Sequence, residues 1–437
     1  MTCAAVCVDV GSGWVKALGI NSRGEPVECA QRPTVAGELL RGVHEAAASV
    51  GLGPDAVGSA RAGAPKLLVC SSAGGGLRLA VVGEQKLITM EAGLQVARSA
   101  GARVVHVEVG ALDPARVRAL RSARPDVVLL LGSPDGSSEQ LLINATRLAR
   151  ARVRAPIVLS ASGELGARAT ELLESTGRTV LAAPPVLRGS GELVPEPARS
   201  TLASLLSAHL VGGRGPASTA RFRRLAGRPT TSAVGSGLLR LAEMRRDPTQ
   251  ALLAVDVGSS TTDVYSVAPG ARDVVCTAEA DLGMRPSVAG ILTEGQTEQV
   301  IDPVEADLLA PTVRRLAEET GFLPTDVGAR AEDRRLAALA AVLALRRHLA
   351  VVGRELAEGG VGLLVLSGGV FRQPGGEGLA ALRATLRCDV RLRSLLEHCP
   401  IAIDDGFALA PAGLLELAGR SDEANTILDA AIVPEAD

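Results

Sequence analysis

Short apolar runs and apolar positions spaced three and four apart alternate along this chain, and they predict most of its elements. Val6 to Val10 reads as a buried strand, Lys16 to Ile20 as its return, Asn21 to Gly24 as a turn and Pro26 to Ala30 as a third strand. Together they predict a meander of three antiparallel strands. Residues 36–50 place Leu39, Leu40, Val43 and Ala47 on one helical face. A strand at 66–72 and another from Leu77 to Val82 follow. Strands at Val104–Val109, Val127–Leu131, Ile157–Ser160 and Thr179–Ala183 then interleave with helices at 113–123, 138–151 and 164–177. Such alternation predicts a parallel sheet with helices on both faces. Residues 184–198 are rich in Pro and Gly and read as a linker, with a helix at 199–211 beyond it.

The second half repeats the opening. A helix at 232–247, with small residues at Gly235, Ser236 and Gly237, offers a face that a neighbouring helix can approach closely. Leu252 to Val255 runs into Asp256, and Val264 to Val267 resumes strand-like alternation, which predicts a strand, a tight turn and a strand. Helices at 303–319 and 330–357 precede a buried strand, Val361 to Leu366, that runs into Ser367-Gly368-Gly369. A short strand, the turn Asp404-Asp405-Gly406 and a closing helix fill 401–417.

Two stretches carry the chemistry. Cys7-Val-Asp9-Val-Gly11-Ser12-Gly13-Trp-Val-Lys16 and Val255-Asp256-Val-Gly258-Ser259-Ser-Thr261-Thr262 each deliver a carboxylate from a strand end into a turn of small residues. Glycine lets a ligand approach bare backbone, and converging amides cradle an anion. A carboxylate at the strand end is placed to hold a metal ion over that anion. Phosphate with Mg²⁺ suits the arrangement. Two copies far apart in sequence predict two half-sites facing one another. Glu279, Asp281 and Arg285 read as surface charge.

Composition narrows the function. The 437 residues are enough for two or more domains, and 47% hydrophobic content supplies their cores. A net charge of −2 speaks against general nucleic-acid binding, and 1% aromatic content leaves no base-stacking platform. No uninterrupted apolar run reaches eighteen residues and the first ten lack a signal-peptide charge pattern, so a soluble cytoplasmic protein is expected. Seven cysteines stand singly, without a Cys-x-x-Cys pair; Cys3 and Cys7 read as packing residues. Lysine is scarce in a chain that otherwise uses arginine, which singles out Lys16 as a compact phosphate contact.

The order Asp9-Val-Gly-Ser, Asp256-Val-Gly-Ser and Ser367-Gly-Gly-Val resembles the phosphate-1, phosphate-2 and adenosine motifs of the actin, Hsp70 and sugar-kinase superfamily. That resemblance implies a two-lobed actin-like (ribonuclease H-like) α/β fold. The helix at 232–246 would be the first connecting helix and that around 336–349 the second. The expected layout is residues 1–65 as the first part of the N-terminal lobe and 66–185 as an inserted parallel α/β domain. Residues 186–250 return to the lobe and 251–437 form the C-terminal lobe. Ser71-Ser-Ala-Gly-Gly-Gly-Leu-Arg78, Asp256 to Val267, Asp281-Leu-Gly-Met-Arg285 and Gly368-Gly-Val-Phe371 are more closely similar to the MutL/GlmL family, accessory proteins of adenosylcobalamin-dependent glutamate mutase and related enzymes. That family is unrelated to the mismatch-repair protein of the same name.

This closer resemblance implies an ATP-dependent reactivating chaperone. Asp9 and Asp256 would hold Mg²⁺ through water and serve catalysis, with Asp256 orienting the attacking water. Gly11, Ser12, Gly13 and Lys16 would contact one side of the phosphates. Gly258, Ser259, Thr261 and Thr262 would contact the other, and Gly368 and Gly369 the adenosine. Ser259 departs from the glycine frequent in relatives. The expected partner is a mutase subunit, with no nucleic acid and no membrane; a homodimer is left open. The sequence lacks the Asp-x-His-x-x-Gly cobalamin motif. A small-molecule kinase or amidase of the same fold, or a non-hydrolysing scaffold, are the alternatives.

Overall fold

The structure, a computed structural model, describes residues 3–35, 37–52, 66–73, 77–84, 102–133, 139–151, 153–186, 220–245, 249–357, 359–372 and 377–434, with isolated positions between them. The chain divides into two compact units, one of residues 1–75 with 208–437 and one of residues 76–207.

The first unit opens with β1 (Ala5–Val10), β2 (Trp14–Ile20) and β3 (Pro26–Pro33), the antiparallel meander expected from the pattern. Helix α1 (Leu39–Ser49) covers it with Leu39, Val43, Ala46 and Ala47. Strand β4 (Lys66–Ser71) pairs parallel with β1, Asp9 opposite Cys70. The sequence reading placed this strand in the inserted domain, but it belongs to the first sheet. A continuous apolar run fits a central parallel strand of either sheet, so the pattern identifies the strand and not its sheet.

The second unit therefore begins at Gly76, not at residue 66. It holds β5 (Leu77–Gly83), β6 (Ala102–Val109), α2 (Pro114–Ser122), β7 (Val127–Leu131), α3 (Gln140–Arg150), β8 (Ile157–Ser160), α4 (Gly163–Ser175) and β9 (Val180–Ala183). The strands are all parallel in the order β6-β5-β7-β8-β9. Leu130, Leu148, Ile157 and Leu173 lie in its core. Most of the helix expected at 199–211, Gly74 to Gly76 and residues 134–138 lie outside the described residues.

The chain re-enters the first unit through α5 (Ala220–Leu225) and β10 (Arg228–Pro229), which completes a sheet of order β10-β4-β1-β2-β3. Helix α6 (Thr230–Met244) leads to β11 (Ala251–Val257), β12 (Thr262–Val267) and β13 (Val275–Glu279). Three helices follow, α7 (Val288–Thr297), α8 (Pro303–Glu318) and α9 (Val327–Ala357). The rest of the chain is β14 (Val361–Ser367), α10 (Glu377–Cys388), α11 (Arg393–Leu396), β15 (Ile401–Ile403), α12 (Leu409–Leu417) and α13 (Ser421–Ala431). The second sheet has the order β13-β12-β11-β14-β15. Each sheet thus carries an antiparallel meander on one side of its central strand and two parallel strands on the other. This repeated topology is the two-lobed actin-like, ribonuclease H-like α/β fold, with a parallel α/β unit inserted in its N-terminal half.

Helices α6 and α12 cross between the sheets at two glycines. A Cβ on Gly237 would meet the Leu409 carbonyl oxygen at 2.1 Å, and one on Gly413 would meet that of Ala233 at 1.7 Å. The small face expected of α6 is this crossing. The sequence reading assigned the second connecting helix to 336–349, but that segment lies inside α9, in the core of the second lobe, and α12 is the partner of α6. Around the crossing, Cys7, Cys70, Ala233, Leu238, Tyr265, Val365 and Leu415 form one apolar cluster shared by both lobes.

Helix α9 contains a stretch, Val327–Gly353, long and apolar enough to cross a membrane, but 78% of its most apolar window is buried in protein. It also carries an ionic cluster around one arginine. Arg347 contacts Glu279 at 2.7 Å, Asp281 at 3.0 Å, Glu294 at 2.6 Å and Glu298 at 2.9 Å. Glu279 and Arg285, read from sequence as surface charge, are buried, because α9 brings Arg347 to the first and Asp333 to the second.

Two consequences are measurable by denaturant unfolding. Gly413→Ala should lower stability by about 1–3 kcal/mol or more through overpacking, since neither helix backbone can yield without moving a lobe. Arg347→Met should lower it by about 3–5 kcal/mol, the cost of leaving buried Glu279 without its counter-charge. A variant unfolding at the wild-type midpoint would contradict the corresponding claim.

Candidate functional site

The two Asp-Val-Gly-Ser turns have the same internal geometry. Gly11 N–H donates to the Trp14 carbonyl and Gly258 N–H to the Thr261 carbonyl, both at 2.9 Å. Added Cβ atoms would meet those same oxygens at 3.0 Å in both turns. Each turn is then fastened differently. Thr34 holds the first, its N–H on the Gly13 carbonyl at 2.9 Å and its hydroxyl on that of Gly11 at 2.8 Å. The second rests on the segment Leu282–Arg285. Met284 N–H donates to the Gly258 carbonyl at 3.0 Å and Arg285 N–H to that of Ser259 at 2.8 Å. Gly283 permits this, since a Cβ there would lie 2.3 Å from the Ser260 backbone.

The turns face each other across a cleft of about 1080 Å³, counting its open mouth. Gly13 lies so close to Ser259 that an added Cβ would come within 2.8 Å of that serine's side chain. Asp9, Gly11, Ser12, Gly13 and Lys16 line the cleft from the first lobe, and Asp256, Gly258, Ser259 and Thr261 from the second. Gly368 and Gly369 line it from the end of β14. Gly368 takes φ +125° and presses on the Val257 carbonyl, where a Cβ would clash at 2.5 Å, whereas nothing lies within 4 Å of the Cβ direction of Gly369. One expected contact is turned away. Thr262 is fully buried and its hydroxyl donates to the Leu282 carbonyl at 2.7 Å, so its side chain fixes the hairpin instead of facing the cleft. Alternation along β12 explains this, because its neighbours Thr261 and Asp263 are the residues that face outward.

The carboxylates differ in their partners. Asp9 Oδ1 accepts from the Thr230 hydroxyl at 2.6 Å and the Cys70 thiol at 3.5 Å, while Lys16 Nζ stands 3.5 Å from Oδ2. Asp256 Oδ1 and Asp263 Oδ1 are buried with no hydrogen-bond partner. Burial first, and the neighbouring Asp9 carboxylate among the other causes, raises the Asp256 pKa against the opposing pull of Lys16. Asp263, paired with Asp256 across the β11–β12 ladder, is pushed up to about 7, again by burial first and by Asp256 second. Orphaned buried carboxylate oxygens call for a cation. Among the described residues no three His, Cys, Asp or Glu side chains converge tightly enough to ligate an ion directly. Asp256, with its free oxygen, and Asp9 beside it in the cleft could hold a hydrated Mg²⁺ through water, since that ion keeps much of its hydration shell.

Several cleft residues escaped the sequence reading. Thr230, at the start of α6, fixes Asp9 from 221 positions away. Asp263 was visible as a second acid on the outward face of the hairpin. The buried pair Arg285–Asp333, 3.2 Å apart, lines the cleft beside Met284 and Leu323, and no local pattern in α9 marks Asp333.

A family model described as MutL protein matches residues 5–432. The chain belongs to the MutL protein family. A relative described as Protein MutL, from Clostridium tetanomorphum, is 26% identical over 370 residues, covering 80% of this chain and 79% of its own. Solved structures similar to this MutL-family chain include a nucleotide-free acetone carboxylase, 11% identical with TM-score 0.33, covering 94% of this chain and 70% of its own. A xylulose kinase from Rhodospirillum rubrum is 13% identical with TM-score 0.32, covering 99% and 94%.

The carboxylate environment has a testable sign. In the folded, metal-free chain Asp263 holds its proton to about pH 7, whereas an unfolded Asp ionises near pH 4. The fold binds the extra proton in that window, so stability falls as pH rises through it and levels off above 7. In EDTA, Asp263→Asn should raise stability at pH 8 by at most about 4 kcal/mol, three pKa units' worth, and by much less at pH 5. Equal effects at both pH values would contradict the assigned environment.

Proposed function

We propose that the cleft binds ATP with Mg²⁺ and hydrolyses it, and that the protein serves an adenosylcobalamin-dependent mutase as an accessory, reactivating chaperone. The observation that carries the nucleotide part is the meeting of two acidic strand ends, Asp9 and Asp256, across one crevice whose facing turns approach at Gly13 and Ser259. The amides of Gly11 to Gly13 and of Gly258 to Thr261 would cradle the phosphates from both sides. Lys16 would neutralise their charge, and Gly368 and Gly369 would let the nucleoside lie against backbone. Mg²⁺, when bound, would neutralise charge on the phosphates. Asp256, with a free carboxylate oxygen, is the group placed to orient an attacking water and take up its proton. Positioning and charge stabilisation are most of what phosphoryl transfer asks of a protein.

The mutase part is supported by membership of the MutL protein family and by the resemblance to mutase-associated proteins. Nucleotide-dependent movement of one lobe against the other would be the output, and the inserted unit is the candidate grip on the mutase.

Trp14, the single tryptophan, lies in the first turn and lines the cleft. Its emission should change on saturation with ATP·Mg²⁺, with heat detected by calorimetry. Silence in both measurements would remove the nucleotide. Asp256→Asn should keep the fold and lower ADP formation by roughly 10²-fold or more. Turnover at the wild-type rate would take Asp256 out of the mechanism. The chaperone part predicts that a cobalamin-inactivated mutase regains activity only with the protein and ATP together.

A further inference from the structure

A smaller hollow adjoins the cleft toward α12. Counting open mouths, it encloses about 380 Å³ against about 1080 Å³ for the cleft, and Asp9, Lys16 and Asp256 line both. Its own walls come from Arg372, Phe407 and Asp404, with Ala410 and Pro411 from the start of α12. The acidic pair therefore stands between two cavities, one with the cradling turns and one without them.

Arg372 is the unusual member. Its side chain is only 10% exposed. Nε donates to the Asp404 carbonyl at 2.7 Å, and Nη2 stands 3.5 Å from the Ser367 hydroxyl and 3.8 Å from Asp404 Oδ2. The guanidinium lies on the Phe407 ring, 3.7 Å from its centre. Nη1 is buried and has no hydrogen-bond partner at all. A buried guanidinium N–H without an acceptor is costly, and an oxyanion is the ligand it matches. Lys16 Nζ, 5.6 Å from the centre of the same ring, brings a second positive charge to the hollow.

We propose that this hollow is a second anion site, taking one inorganic phosphate beside the nucleotide cleft instead of within it, with Arg372 and Lys16 as its donors. The site rests on the ATPase reading only for the source of the phosphate, which would be the γ-phosphate after cleavage. Three carboxylates also face the hollow. Asp9 is engaged by Thr230, Cys70 and Lys16, and Asp404 accepts from the Ser367 hydroxyl at 3.1 Å and the Ala408 N–H at 2.5 Å. Asp256 lines it as well, and Lys16 and Arg372 stand as the opposing charges. The Cys7 thiol, pushed up to about 12 by burial, adds none. With acids and cations mixed in this way the site should bind phosphate weakly, in the millimolar range, and let it go. That suits a product on its way out.

The test is ³¹P line broadening of inorganic phosphate by the full chain, alone and with the cleft filled by a non-hydrolysable ATP analogue and Mg²⁺. Broadening should persist with the analogue bound. Arg372→Gln should weaken phosphate at least tenfold, with Arg372→Lys between the two. Ala410→Leu, which fills the hollow without touching Arg372, should weaken it as well and serves where the Arg372 variants unfold. Phosphate displaced by the analogue, or unaffected by these substitutions, would overturn the second site. Failure of the analogue itself to bind would instead count against the nucleotide reading, and the substitutions would still decide the hollow in the nucleotide-free chain.

Discussion

Two helices that lack side chains where they cross decide the position of everything else in the larger unit. Gly237 of α6 and Gly413 of α12 bring backbone against backbone, closer than any Cβ would permit. Helix α6 begins at Thr230, which grips Asp9, and α12 begins just beyond Phe407, which covers Arg372. The crossing therefore fixes the distance between the sheets and, through its two ends, the side chains that flank the acidic pair. A larger residue at either glycine would separate the lobes where the cleft is narrowest.

The cleft itself concentrates unresolved electrostatics. Several buried charges away from it are answered within the protein. Arg346 meets Asp389 at 2.5 Å, and Arg347 sits among four carboxylates. Around the turns, by contrast, Asp256 and Asp263 each keep a buried oxygen without a donor, and Arg372 keeps a nitrogen without an acceptor. All three line the cleft or the hollow beside it. Such groups cost stability in the empty protein, and the free energy returns when a ligand completes them.

The strands, the two turns and the strand-to-glycine step at Ser367 were legible because each is a local pattern: an apolar run, a strand-end acid, a small-residue turn. So was the inserted sheet, from its alternation of strands and helices. Other features were not. The sheet to which Lys66–Ser71 belongs depends on a partner, β1, whose pairing leaves no mark in either sequence. The identity of the second connecting helix depended on which helix meets Gly237. Helix α9 is the more conspicuous in sequence, yet it is α12 that carries Gly413. The burial of Glu279 and Arg285 required a long-range counter-charge, and charge alone reads as surface. Thr262 was misplaced for a local reason, since strand alternation across Thr261, Thr262 and Asp263 already turns the middle residue inward.

Phe407 shows how the second hollow is tied to the first. It is one of three non-glycine residues among those described with positive φ, here +55°. That backbone costs an ordinary side chain about 1–2 kcal/mol and persists only where surrounding contacts hold it. The contacts are two cations on one ring, Arg372 from beyond β14 and Lys16 from β2. Lys16 belongs to the first sheet and Arg372 follows β14 of the second, so the ring joins the lobes on the side of the acidic pair away from the cradling turns. A change in spacing between the lobes alters the Lys16–Phe407 contact and the width of the hollow together, while the Asp9–Lys16 pair, formed within the first sheet, keeps the ammonium beside Asp9. Lys16 lines both cavities and is the side chain at which the cleft and the hollow meet.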